Sequence, residues 1–155
     1  MWQKLLGTRN SIPLAIVRLV LGLVMFPHGA QKMLGWFGGN GFSGTMGFFA
    51  HQGTPAPLAF LAIAAEFFGG LGLILGFLSR IAAFGVLCNM VVAVLTVHLA
   101  NGFFMNWASA NKGEGFEYHL LAIAMALAVM IGGAGATSVD RALSGSDSSA
   151  SSTRP

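Results

Sequence analysis

Several side chains that hydrocarbon does not tolerate alone stand inside or at the ends of long apolar runs: Arg18, His28, Lys32, Glu66, His98 and Glu117. Intramembrane ionisable groups are functional candidates by default, because each must find a partner or a wet cavity. Imidazole and ammonium groups can hydrogen-bond the oxygens of a ligand, and a carboxylate can hold or release its proton. An apolar slot, a donor and a nearby carboxylate are what a quinone-like ligand needs. Glu66, His28 and Lys32 are the candidates for proton chemistry. His28, Lys32, His98, Glu117 and Arg18 are the candidates for holding the ligand. Arg18, Gly22, Met25, Gly29 and Lys32 fall at i, i+4, i+7, i+11 and i+14, one helical face that carries both charges. His28 stands one turn before Lys32. Pro27 removes a backbone donor just below it, where a kink is expected.

Each residue also has a plainer reading. Glu66 can pair with Lys32 or Arg18 as a buried ion pair that fixes helix register. Arg18 can snorkel to the interface. Glu117 suits a helix first turn, where the dipole stabilises a carboxylate. His119 lies nearly opposite Glu117 on a regular helix, and His51 reads as a solvated loop residue. Cys88 reads as a small core hydrophobe and Asn89 as interhelical glue. One cysteine allows no disulfide within the chain and no dithiol pair. His28 and His98 leave a bis-histidine arrangement geometrically open. No compact ligand motif supports a metal, and haem is disfavoured with it.

The elements that position these groups follow from composition. Of 155 residues, 55% are hydrophobic and 8% charged, against about 25% charged in an ordinary soluble domain. Eight basic and five acidic residues cannot coat a water-soluble globule of this size, which argues against a soluble enzyme. The scattered basic residues make no stripe for nucleic acid. Four apolar segments, about 12–34, 57–78, 81–101 and 116–136, each approach the ~20 residues that cross a bilayer. They predict an all-α, polytopic membrane four-helix bundle with four transmembrane helices. Lys4, Arg9, Arg80, Arg141 and Arg154 fall on one side, and Lys32 and Lys112 on the other. The positive-inside rule then puts both termini in the cytoplasm.

Arg18 interrupts the first apolar run, so the start does not read as a cleavable signal peptide. Residues 1–11 form a cytoplasmic N-terminus, 12–141 the transmembrane domain, and 142–155 a Ser-rich tail expected to be disordered. The first outer loop carries Phe42, Met46 and Phe49 at i, i+4 and i+7, a short amphipathic helix at the interface. Ala124, Ala128, Gly132 and Ala136 repeat every four residues, and Gly72 and Gly76 make a GxxxG. Such stripes let helices approach closely.

Arg18, Gly22 and His28-Gly29-Ala30-Gln31-Lys32 together resemble the first-helix pattern of the DoxX family of small bacterial inner-membrane proteins. Glu66 with Gly69-Gly70-Leu71-Gly72, Gly76 and Arg80 is similar to the same family. So are His98-Leu99-Ala100-Asn101-Gly102-Phe103-Phe104, Gly115-Phe116-Glu117-Tyr118 and Ser138-Val139-Asp140, in that order along the chain. The resemblance spans about Arg9 to Arg141 and implies an inner-membrane protein of the oxidoreductase-labelled kind. Some relatives are subunits of a thiosulfate:quinone oxidoreductase. Others are linked to oxidative-stress complexes or to aromatic-compound detoxification.

The reading from sequence is therefore a redox-associated subunit that binds quinone or docks a peripheral or soluble oxidoreductase through an outer-leaflet polar pocket. Its environment is the lipid bilayer. Homo-oligomerisation is open, and electron transfer would need a partner. The rivals are a small transporter, with Glu66 and Arg18 lining a pathway, and a non-catalytic assembly or scaffold subunit.

Overall fold

The computed structural model describes residues 5–109 and 112–150, with side chains to residue 144. All regular structure among the described residues is helical. Helix α1 spans Ile12–Leu34. Ser11 caps its start by accepting from the Leu14 N–H at 3.4 Å, and Gly35, left-handed at φ 75°, ends it. The helix runs on through Pro27 without a break. A 3-10 turn at Trp36–Gly38 leads to α2, Gly41–His51, the short helix expected in the first loop. Its one buried residue is Thr45, whose hydroxyl donates to the Lys32 carbonyl at 3.2 Å. A threonine thus docks α2 on the end of α1, while Phe42 of the stripe packs edge-to-face on Phe60 with ring centroids 6.3 Å apart.

Helix α3 spans Ala56–Leu75 and stops at Gly76, which is left-handed at φ 68°. Helix α4, Ser79–Ala93, continues through a π-helical turn at Val94–His98 and a 3-10 turn at Leu99–Asn101. Helix α5 spans Glu117–Gly132 and α6 Val139–Ala150. Three helical stretches are long and apolar enough to cross a membrane: Ile12–Leu34, Ala56–Leu75 and Ser79–Asn101. Helix α5 is equally apolar in character but has 16 residues, short of the ~20 that span hydrocarbon at 1.5 Å per residue.

The core lies where α1, α3, α4 and α5 face one another, at Leu21, Met25, Leu73, Val86, Met90, Ala126 and Val129. Helix α5 buries Ala122, Ala126 and Val129, whereas Ala124 is exposed. The every-fourth-residue stripe read from sequence therefore packs at its far end, where Gly132 and Ala136 are buried, and not at Ala124. Helices α1 and α3 meet backbone to backbone. A Cβ on Gly29 would stand 2.4 Å from the Phe67 backbone, and one on Gly70 2.7 Å from the Phe26 nitrogen. Only glycine permits that approach.

At the opposite end of α3, Leu78 takes up a left-handed φ of 48°, strained for a leucine. Asp140, 1% exposed, holds that turn. Its carboxylate accepts the Leu78 N–H at 2.7 Å and the Ser79 N–H at 2.9 Å, capping α4 from the start of α6. Arg80 fastens the same end by donating to the carbonyls of Met130, Ile131 and Gly7. The helical backbone of α6 continues to Ala150, within the stretch whose composition suggests a disordered tail. Residues 151–155 of that expected tail lie outside the described residues.

Candidate functional site

The close approach of Gly29 to Glu66–Phe67 delivers Lys32, one turn further along α1, to the Glu66 side chain. Lys32 Nζ forms an ion pair with Glu66 Oε2. From the other side, Asn89 on α4 donates Nδ2–H to Glu66 Oε1 at 2.8 Å. Both carboxylate oxygens are therefore partnered, as a buried charge requires. Glu66 is 5% exposed, whereas a third of the Lys32 side chain is open. Glu66 lies ten residues from Ala56 and nine from Leu75, and Asn89 ten from Ser79. At 1.5 Å rise per residue both sit about 15 Å along their helices, near mid-span.

This network stands between two kinds of space. Lys32 lines a polar cavity of about 330 Å³ bounded by Gln31, the Gly38–Asn40 turn, Thr45 and Phe48. Asn89 lines an apolar cavity of about 370 Å³ between α3 and α4. It shares Leu61, Ala65 and Gly85 with a second apolar cavity of about 500 Å³ that continues toward Leu75 and Leu78. Cys88 is exposed and lines the first of these, so it is not the core residue its type suggested. Asn89 bridges α3 and α4 as expected, but it does so through the candidate carboxylate.

The other candidates lie elsewhere. His28 is exposed on α1. Arg18 is wholly buried and spends its guanidinium on backbone carbonyls. Nε donates to Ala134 at 2.7 Å, Nη1 to Leu73 and to Ile74 at 2.9 Å, and Nη2 to Thr137 at 3.3 Å. It neither snorkels nor meets Glu66, and it ties the end of α3 to the segment after α5. The planar fork of arginine suits this cluster of helix-terminal carbonyls. Glu117 accepts the Met105 N–H at 3.0 Å and so secures the loop before α5.

His98 meets His119 rather than His28, with ring centroids 4.0 Å apart. Its Nδ1 lies 2.9 Å from the Glu114 carbonyl, which can only accept. The proton is therefore on Nδ1, and in the neutral ring Nε2 keeps its lone pair. His119 is 7% exposed, and its Nδ1 has no partner among the described residues. No group of three or more His, Cys, Asp or Glu side chains suited to a metal ion occurs among the described residues. Asn89 and His119 are the site residues that the sequence reading did not nominate. An amide at mid-span of a segment without formal charge was the available signal for Asn89.

The comparisons with known proteins agree on a lineage. The family model described as DoxX matches residues 14–99. A Bacillus subtilis (strain 168) protein named "Putative oxidoreductase CatD" is 29% identical over 114 residues, covering 74% of this chain and 75% of its own length. An Escherichia coli (strain K12) protein named "Inner membrane protein YqjF" is 33% identical over 134 residues, covering 86% of this chain and 94% of its own. No solved structure matches with statistical significance.

Proposed function

The chain belongs to the DoxX family, and from that premise we propose that it is a redox-associated membrane subunit that binds quinone or docks an oxidoreductase at Lys32 and Glu66. The observation that carries the reading is a buried mid-span carboxylate whose cationic partner opens onto a polar cavity. Such a pair can exchange a proton with water on one side and serve a ligand within the membrane on the other. Reduction of a quinone to its quinol takes two electrons and two protons. The electrons come from the partner oxidoreductase, and the protons pass by way of Lys32 and Glu66. Lys32 hydrogen-bonds a ligand oxygen. His98 and Glu117 shape the outer end. The names of two relatives, an oxidoreductase and an inner membrane protein, fit a redox-associated protein of the membrane.

In this reading α1, α3, α4 and α5 are four spans of one bundle in the inner membrane. Helix α5 reaches the level of the start of α1, where the Arg9 N–H donates to the Gly132 carbonyl at 3.4 Å and the Ala136 N–H to the Ser11 carbonyl at 3.0 Å. Arg80 and Arg141 face the cytoplasm with both termini, and Lys32 and Lys112 face outward.

The test is to purify the chain in mild detergent and to extract what accompanies it. Mass spectrometry of the organic extract and an oxidised-minus-reduced spectrum are the readouts. A stoichiometric quinone that is lost in Glu66→Gln is the expected result. An extract holding only phospholipid, with a featureless spectrum, overturns quinone binding.

A further inference from the structure

We propose that the ligand enters sideways from the bilayer: the ring of a lipid-soluble quinone sits on Asn89, and its polyprenyl tail lies in the groove between α3 and α4. This inference rests on the quinone reading above but moves the ligand contact from Lys32 to Asn89, on the other side of Glu66, and leaves Lys32 to exchange protons with the polar cavity. Of the two N–H donors and one carbonyl oxygen of the Asn89 side chain, one N–H has a protein partner among the described residues. The remaining amide groups belong to a half-buried residue that lines an apolar cavity near mid-span. An amide left unpartnered at that depth is costly, because hydrocarbon offers no hydrogen bond in return. A polar ligand that arrives from the lipid removes the cost.

The chemistry selects the occupant. An acyl chain of a phospholipid has no polar group at mid-bilayer. A quinone has carbonyl oxygens that accept from the free N–H of Asn89, and its quinol has hydroxyls that donate to Oδ1. The same amide thus serves both redox forms, and its committed N–H keeps Glu66 in hydrogen-bonded contact with the ligand-binding group. The two cavities, about 370 and 500 Å³, are each of the size and apolar character of small-molecule sites. They are adjacent, sharing Leu61, Ala65 and Gly85 in their walls, and together reach from Asn89 toward the Arg80 end of the helices, a length suited to a long tail. A Cβ on Gly85 would meet the Ala65 Cβ at 3.4 Å, ordinary contact, so a larger side chain there has room to project into the groove.

The experiment uses the full chain in phosphatidylethanolamine/phosphatidylglycerol nanodiscs and a quinone carrying a photoreactive azide on its tail. Cross-linked peptides are mapped by mass spectrometry, with unlabelled decylubiquinone as competitor. The expected label falls within residues 61–92 and is displaced by the competitor. It drops about tenfold or more in Gly85→Leu and in Asn89→Leu. Ala62→Leu, also on the groove, replaces Gly85→Leu if that variant fails to fold. Displaceable label on the Gln31–Phe49 side instead overturns lateral entry and leaves the quinone reading standing. Groove label that decylubiquinone does not displace marks the groove as an acyl-chain slot and overturns the inference. Absence of any displaceable label, with no quinone in the extract, overturns both.

Discussion

Replacing the two members of the Lys32–Glu66 pair in turn should have unequal consequences, and the inequality follows from their burial. Lys32→Met strips the cation from a carboxylate that is 5% exposed and has only Asn89 left as a partner. Breaking a buried pair in this way costs about 3–5 kcal/mol, because an uncompensated charge stays behind. Glu66→Gln leaves Lys32, a third exposed and already lining the polar cavity, free to swing into water. The glutamine carbonyl still accepts from Asn89, so the loss approaches that of a surface pair, about 1 kcal/mol or less. The gap between the two single variants is then at least about 2 kcal/mol, roughly 30-fold in the folding equilibrium. The double variant should return to within about 1 kcal/mol of the parent, since neither charge remains. Reversible unfolding by SDS in mixed micelles, followed by circular dichroism, measures all four corners of the cycle. If Glu66→Gln destabilised as much as Lys32→Met, or if the two effects simply added, the reasoning from burial would be refuted.

Further outcomes follow from the same contacts. Arg18→Lys should lose most of the carbonyl cluster and destabilise the protein by about 3 kcal/mol, read as a lower melting midpoint in detergent, because a point-like ammonium cannot reach four carbonyls arranged for a fork. Any quinone content per folded molecule should be unchanged in that variant. Gly29→Ala should separate α1 from α3 and cost about 1–3 kcal/mol or more; a variant of parental stability would contradict the contact with Phe67. Asp140→Ala should cost about 1–2 kcal/mol by uncapping α4, and Leu78→Gly in that background should recover part of it by relieving the left-handed leucine. Cys88 in nanodiscs should resist a water-soluble maleimide from both faces and react fully after SDS denaturation. Rapid labelling in the intact disc would contradict its mid-span placement.

Local rules carried the Lys32–Glu66 pairing into the sequence reading. Both residues stand on long apolar helices, and charges of opposite sign in hydrocarbon have few other solutions. The start and stop of α1, set by Ser11, Pro13 and Gly35, were legible for the same local reason. What the sequence hid were the partners that depend on phase. The π-helical turn at Val94–His98 rotates everything beyond it, so an α-helical wheel misplaces His98, which turns to His119 and the Glu114 carbonyl. Arg18 was read as a pocket or snorkelling residue because its partners are backbone carbonyls 55 to 119 residues away, and no side-chain pattern marks them. The packing face of α5 was legible only at Gly132, because Ala122, Ala124, Ala126 and Ala128 alternate around the helix and composition alone cannot choose among them.

The Arg18 cluster has a bearing on how the chain is made. Its Nε partner, the Ala134 carbonyl, lies 116 residues downstream. At a synthesis rate of about 5–20 residues per second, roughly 6–24 s pass between the emergence of the arginine and that of its last acceptor, the Thr137 carbonyl 119 residues on. The guanidinium can meet the Leu73 and Ile74 carbonyls once α3 is made, yet its Nε and Nη2 stay unmatched in hydrocarbon until residues 134–137 emerge. It must wait at the interface or in the shelter of the insertion machinery, and it locks only when the segment after α5 arrives. The segment after α5 is thus what completes the burial of the first helix's arginine, so truncation after α5 should release nascent chains whose N-terminal helix has not settled.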